Sequence, residues 1–386
     1  MVDRPVIDDL VEWITDGARP LSDGRKIVAA VCERLNEAGV PVDLYRLFLF
    51  TIHPTIKGRR LQWSADKGTI ITEADFALFE TEEFSSNPLP VVARTGKAIR
   101  RRLIDPDCPH DYKVIDELIA DGFTDYLVQP VIYVDGDVHT MSWSSRHPGG
   151  FSPDAVEALE RIRAPLTRLV ESYILRLNAV NIISTYVGRN AGEKVLGGKI
   201  RRGDAEEIAA VILFADVRDF TDLSNRQPVG QVLETLNRFF DAIEAPVIEG
   251  DGEILKFIGD EILAIFPIHE RDGEQGLVRA ARAASDAVAT ARTTLAETGA
   301  PVGFRSAIHF GRLFYGNMGA SRRLDFTAIG PAVNLTARLL SAASSLGHDD
   351  VCSADIASLL DGDYREAATI PLKGFDGKQT IYARML

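Results

Sequence analysis

A chain of 386 residues, 46% hydrophobic and 26% charged, is long enough for two or three domains and has the composition of a globular protein. Its net charge of −13 argues against a nucleic-acid partner, whose phosphates call for a basic surface, but not against a nucleotide, whose charge is met locally. No apolar stretch approaches the roughly 20 residues of a membrane helix, the start Met1-Val2-Asp3-Arg4-Pro5 lacks a signal-peptide pattern, and Cys32, Cys108 and Cys352 stand far apart, so the expectation is a reduced, cytoplasmic protein with no membrane span.

Residues 1–153 read as mixed α/β. Residues 7–14 and 27–35 carry helical spacing, and Leu44–Phe50 reads as a strand with Leu61-Gln62-Trp63 as its partner across a turn. Residues 126–133 and 138–143, joined through Asp135-Gly136-Asp137, read as a hairpin. Ser152 is placed to cap a helix that Pro153 opens.

From Pro153 a long helix is expected. Leu159, Ile162, Leu166, Leu169, Tyr173, Leu177 and Val180 step by three and four residues, a stripe that suits packing on the helix's own domain or pairing with a second copy. Pro165 should kink or split this helix. Over residues 184–198 glycines end it, and the segment reads as a connector. It is no phosphate loop, because the G-x-x-x-x-G-K-[ST] order is missing and no strand leads into it.

Two aspartates then leave apolar strands. Asp216 closes Val211-Ile212-Leu213-Phe214-Ala215, and Asp260 follows Leu255-Lys256-Phe257-Ile258-Gly259, just ahead of the apolar run 262–266. Singly, such a residue commonly caps a helix or fills a turn. Side by side, two carboxylates can hold divalent metals, which offset the cost of burying their charge. The turn Glu249-Gly250-Asp251-Gly252-Glu253 should bring them together by letting a strand at 254–258 run back beside 211–215.

Downstream stand His309-Phe310-Gly311, Tyr315-Gly316-Asn317-Met318-Gly319 and Asp325-Phe326-Thr327-Ala328-Ile329-Gly330-Pro331-Ala332-Val333-Asn334-Leu335-Thr336-Ala337-Arg338-Leu339. Taken in order with Phe214-Ala215-Asp216-Val217-Arg218-Asp219-Phe220-Thr221 and the Lys256–Asp260 segment, these motifs resemble the catalytic domain of class III adenylyl/guanylyl cyclases. The resemblance covers about residues 205–386 and implies an α+β chain with a ferredoxin-like cyclase domain. A helical linker and transducer segment at 154–204 would precede it. The hairpin and Phe151-Ser152 helix start at the end of residues 1–153 resemble the last third of GAF sensor domains.

The same resemblance assigns roles. In cyclisation the ribose 3′-hydroxyl attacks the α-phosphate of ATP and pyrophosphate leaves. Asp216 and Asp260 match the family's metal-binding carboxylates, with the Val217 carbonyl a further ligand to two divalent ions, Mg²⁺ or Mn²⁺. Lys256 and Thr327 match the base-recognising pair; lysine supplies a donor to adenine N1, whereas guanine would want a carboxylate there, so ATP is the expected substrate. Asn334 matches the ribose-positioning asparagine and Arg338 the arginine that stabilises the transition-state phosphate; four apart, they share a helical face. Lys373 matches the lysine that holds the terminal phosphates. Lys256 and Asp260 are too far apart along one extended segment to serve one ATP, so the resemblance implies a head-to-tail homodimer with two composite sites.

Two positions depart from the family pattern: Asp219 where glycine is usual, and Pro331 where an acid is frequent. Asp219 would tune metal preference or face solvent. His309 reads as structural, and Cys108-Pro109-His110 as a polar loop rather than a chromophore attachment point. An unknown small ligand is expected at the N-terminal domain, with a haem or lipid pocket as one form it could take; the same Phe, Trp and Leu side chains suit a plain core, in a domain that binds nothing and serves only to dimerise. The alternatives to an adenylate cyclase are a catalytically silent nucleotide-binding signalling module and a guanylate cyclase.

Overall fold

The computed structural model describes residues 1–297, 299, 302–360 and 362–385, so Leu386, the last residue of the expected catalytic domain, lies outside them. The chain packs as two units, Met1–Thr185 and Tyr186–Leu386. No helix among the described residues is long and apolar enough to cross a membrane.

The first unit opens with α1 (Arg4–Thr15) and α2 (Gly24–Glu37), capped by the side chains of Asp3 and Asp23. Their buried stripes are Ile7, Leu10 and Ile14, and Val28, Val31, Cys32 and Leu35, as the helical spacing requires. Then follow β1 (Leu44–Phe50), β2 (Ile56–Ser64), β3 (Gly68–Asp75), α3 (Glu82–Ser85), α4 (Pro88–Thr95), β4 (Ile99–Arg102), α5 (Lys113–Ala120), β5 (Asp125–Ile132), β6 (Val138–Ser145) and α6 (Pro153–Val187). The six strands form one antiparallel sheet in the order β3-β2-β1-β6-β5-β4. Leu61 pairs with Leu47, and β5 and β6 form the expected hairpin. One sheet face carries Leu47, Leu61 and Trp143 into a core with α1, α2 and α6; the other packs Leu44, Tyr126 and Val128 against α4 and α5. Ser152 Oγ accepts from Ala155 N–H at 3.2 Å to start α6.

α6 is not split as expected, and its stripe packs largely on its own unit. The helix runs through Pro165 without splitting, because the flanking Ile162 and Leu166 are buried in the core and hold the turn in place. The apolar stripe is largely spent within its own unit: Leu159, Ile162 and Leu166 are fully buried, and Leu169 and Leu177 pack on the same core. Of the seven stripe residues only Val180 is exposed, so most of the stripe is used within its own unit.

In the second unit α7 (Arg189–Leu196) follows Gly188, whose φ of +94° suits glycine and ends α6. The rest is β7 (Ala205–Val217), α8 (Phe220–Arg226), α9 (Val229–Glu249), β8 (Glu253–Ile258), β9 (Glu261–Ile268), α10 (Gly273–Glu297), β10 (Phe304–Ala320), β11 (Arg323–Ile329), α11 (Pro331–Leu346), β12 (Asp350–Ser353), α12 (Ala354–Ala357), β13 (Tyr364–Pro371) and β14 (Lys378–Arg384). The sheet order is β13-β14-β12-β10-β7-β9-β8, with β11 paired to β10. On β7, Val211, Leu213 and Ala215 face α9 and α10, while Ile212 and Phe214 face the core that holds Leu339 and Leu340 of α11. Covering on both faces is why this strand reads as an unbroken apolar run.

The strand neighbours of Asp216 also differ from expectation. The turn at Gly250-Asp251-Gly252 joins helix α9 to β8 rather than strand to strand, and β8 does not lie beside β7. The intervening strand is β9, with Val211 opposite Phe266 and Ala215 opposite Ile262. The more completely apolar of the two strands takes the two-sided central place, and β8, with its exposed Phe257 and Ile258, takes the edge.

Candidate active site

The β7–β9 register sets the first half of the site. Asp216 stands opposite Glu261, and the turn of Gly259 and Asp260 immediately precedes β9. Three carboxylates therefore share one corner of the sheet. Asp216 Oδ1 is buried with no hydrogen-bond partner among the described residues. Burial, with the Asp260 charge adding and the Arg305 guanidinium opposing, pushes the Asp216 carboxyl up to about 6. Burial and then Asp216 and Asp260 push Glu261 up to about 7. Burial also raises Asp260, with its own backbone and that of Val217 offsetting part of the effect. Val217 itself is buried at the end of β7.

Arg305 pairs with Asp216 in the β7–β10 register, and its Nη2 lies 3.4 Å from Asp219 Oδ1. Asp219 occupies φ +55°, the left-handed region, which explains why glycine suits this position and why aspartate, among the better-tolerated residues there, can replace it. Its side chain is largely exposed, so the third carboxylate at this corner is Glu261, not Asp219. Glu261 was legible as an acid next to Asp260, but only the β7–β9 register brings it to Asp216.

The second half lies on other elements. Lys256 sits on β8, and its ammonium is held by the Asp325 carboxylate of β11. Thr327 is buried two residues further along β11, on the same strand face as Asp325. Asn334 and Arg338 lie four residues apart on α11; both are exposed, and no side-chain partner is found for either among the described residues. Their neighbours Val333, Thr336, Leu339 and Leu340 turn inward. Lys373 is exposed in the turn between β13 and β14. Neither Lys256, Arg338 nor Lys373 is among the charges acting on Asp216, Asp260 or Glu261. One chain thus gathers the acidic residues at one corner and Lys256, Asp325 and Thr327 at another, and leaves the α11 pair facing outward.

His309, as expected, is structural: it is buried in β10, and Nδ1 lies 2.9 Å from Ser353 Oγ. Burial lowers its pKa. Cys108 is buried in the first unit's core, and His110 pairs with Asp116.

A family model for the adenylate and guanylate cyclase catalytic domain matches residues 204–383. An uncharacterized protein of Mycobacterium tuberculosis is 34% identical over 163 residues, covering 41% of this chain and 29% of its own length. Adenylate cyclase 1 of Rhizobium meliloti is 30% identical over 183 residues, covering 46% of this chain and 27% of its own. The chain thus spans less than a third of the length of these curated relatives. Among solved structures, the adenylyl cyclase CyaB of P. aeruginosa is 27% identical with a TM-score of 0.40, over 47% of this chain and 96% of its own. The GTP-bound guanylate cyclase domain of RhGC from Catenaria anguillulae is 20% identical with a TM-score of 0.39, over 47% of this chain and all of its own. The β7–β9 carboxylate corner, the Lys256–Asp325 pair and the exposed face of α11 all fall inside the matched span, and residues 204–383 of this chain belong to the adenylate and guanylate cyclase catalytic domain family.

Proposed function

We propose that the chain is an adenylate cyclase that converts ATP to 3′,5′-cyclic AMP and pyrophosphate. The observation that carries this reading is the buried, unpartnered Asp216 Oδ1 beside Asp260 and Glu261. An oxygen left without a donor and a carboxyl raised chiefly by burial, with the Asp260 charge adding to it, are features of a site suited to a cation. Two aspartates and the Val217 carbonyl are hard oxygen donors that fit Mg²⁺ or Mn²⁺. Asp216, Asp260 and Glu261 share a corner but do not by themselves converge on an ion, so the phosphates of the nucleotide would complete the coordination. Bound there, divalent ions supply positive charge to the attacking and leaving oxygens.

In this reading the protein's own groups divide the remaining work. Lys256, oriented by Asp325, donates to adenine N1, and the Thr327 hydroxyl accepts from N6. Asn334 holds the ribose, Arg338 meets the charge that develops on the α-phosphate, and Lys373 holds the terminal phosphates. The outward α11 pair and its separation from the acidic corner support a head-to-tail homodimer. In it, each site takes its carboxylates from one chain and Asn334 and Arg338 from the other. The antiparallel sheet and helices of the first unit support a GAF-like sensor at 1–153, acting through the linker and transducer of 154–204 on the catalytic domain from 205.

One observation favours GTP as a second reading: the Asp325 carboxylate beside Lys256 is an acceptor of the kind guanine's N1 and N2 protons require. Product formation by the purified chain from ATP and from GTP, each with Mg²⁺ or Mn²⁺, separates the two. Cyclic AMP lost in Asp216→Ala supports the adenylate reading; cyclic GMP alone replaces it, and no product under any condition leaves the signalling-module reading. Mixed Asp216→Ala and Arg338→Ala subunits should regain activity, and no recovery despite subunit exchange sinks the shared site.

A further inference from the structure

We propose that the first unit binds a small amphipathic carboxylate, an apolar body carrying one carboxylate, in a cavity between its sheet and the segment 76–93, with Arg60 as the anion-binding residue. The cavity has a volume of about 290 Å³ and is walled by Phe48, Phe50, Phe79, Phe84 and Leu89. Phe79 packs on Phe50 and Phe84 with centroid separations of 5.5 and 4.6 Å. Gly58 makes this wall possible, since a Cβ there would stand 2.6 Å from the Phe79 ring.

Arg60 lies opposite Phe48 in the β1–β2 register, so both side chains share the sheet face that lines the cavity. Its Nε is buried without a hydrogen-bond partner, and its Nη2 reaches only Thr72 Oγ1, at 3.5 Å. Among the described residues it forms no ion pair. The next residue, Arg59, also has a buried, unpartnered Nε, but its charge is met by Glu73 at 2.7 Å. Glu83, the other acid lining the cavity, is solvent-exposed. Arg46, two residues before Phe48 on the same face, is not part of the cavity wall and is bonded through Nε to Gln62 Oε1 at 2.9 Å, which leaves Arg60 to meet an anion there. A half-buried guanidinium whose Nε is cut off from water and which has no counter-ion is partly desolvated at a cost. A carboxylate meets its planar fork in two parallel hydrogen bonds, and the phenylalanine wall accepts the apolar remainder. The volume lies at the low end of ligand pockets, which suits one ring or a short alkyl chain and not a haem or a large lipid.

The test needs no enzyme activity. Thermal melting and calorimetric titration of the full chain would use 3-phenylpropionate and octanoate against their uncharged amides. The expected result is a rise in Tm of a few degrees at carboxylate concentrations near ten times Kd, little from the amides, and loss of the carboxylate effect in Arg60→Met. Ligand-free Arg60→Met should melt at or above the wild type, because methionine keeps most of the packing volume while a half-buried charge without a counter-ion is removed. The proposal is overturned if neither carboxylate shifts the melt, if the amides match the carboxylates, or if ligand-free Arg60→Met melts several degrees lower, which would make Arg60 a structural strut.

Discussion

Asp216 and Glu261 face each other across the β7–β9 ladder, and both carboxyls are held well above their ordinary values, to about 6 and about 7, chiefly by burial. The folded chain therefore keeps protons on these groups at pH values where the unfolded chain, with ordinary values of 3.8 and 4.5, has released them. Stability of the metal-free protein should fall as pH rises from about 4 to about 7 and then level off. Asp216→Asn should melt higher than the wild type at pH 7.5 without metal, by on the order of 1–2 kcal/mol after allowance for solvent screening. Mg²⁺ or Mn²⁺ should stabilise the wild type more than the variant. A wild-type melt independent of pH over this window, or equal metal effects on both proteins, would contradict the arrangement.

Asp325 holds the Lys256 ammonium across the β8–β11 approach. Asp325→Asn removes the charge that orients the lysine while keeping the side chain's size. The expected outcome is a KM for ATP raised roughly threefold to tenfold with kcat within about twofold, equivalent to about 1 kcal/mol of lost binding. Use of GTP, which would draw on the same carboxylate, should fall further. Steady-state kinetics with both nucleotides checks this, and an unchanged KM for ATP counts against a positioning role.

Gly311 lies where α11 packs on β10. A Cβ at this position would stand 2.4 Å from that of Ala332, at the start of the helix that displays Asn334 and Arg338. Gly311→Ala must push the helix N-terminus outward. It should cost about 2 kcal/mol of stability and lower kcat if Asn334 and Arg338 act as proposed, because both ride on the displaced element. Gly230→Ala in α9, where an added Cβ meets nothing within 4 Å, is the matched control and should be neutral or stabilising. Equal behaviour of the two variants would refute the packing argument.

Glu253 is buried at the start of β8, the strand that carries Lys256. Its carboxylate accepts from Tyr315 Oη at 2.7 Å, Asn190 Nδ2 at 3.1 Å and, at 3.4 Å, the Ala191 N–H, so it fastens α7 to the sheet. Glu253→Ala leaves these donors unpaired and should lower stability by about 2–4 kcal/mol, with Glu253→Gln recovering part of the loss. Denaturant unfolding gives the comparison; an alanine variant as stable as the wild type would mean that water replaces the carboxylate at no cost.

Local pattern was enough to read the elements around both corners of the site. The unbroken apolar residues before Asp216 and between Ile262 and Phe266 announced buried strands, and the four-residue spacing of Asn334 and Arg338 put them on one helical face. The ordered motifs pointed to the cyclase family because each needs only a short stretch of chain to be recognised. Partnership between distant segments was another matter. Which of β8 and β9 lies beside β7 depends on the helices available to cover each face, and no local spacing encodes that. The same holds for the α6 stripe, whose periodicity is identical whether it meets its own core or a second chain; only burial shows that Leu159, Ile162 and Leu166 meet their own core. Asp325 and Glu261 carried no distinguishing local signal, because an ion pair spanning 69 residues and a cross-strand carboxylate pair exist only once the sheet has brought their strands together. Residue order alone carried the cyclase motifs of residues 204–383, most strands and helices and the chemical groups available. Tertiary packing decided which of those groups meet, because burial, desolvation and charge coupling belong to neighbours in space rather than in the chain.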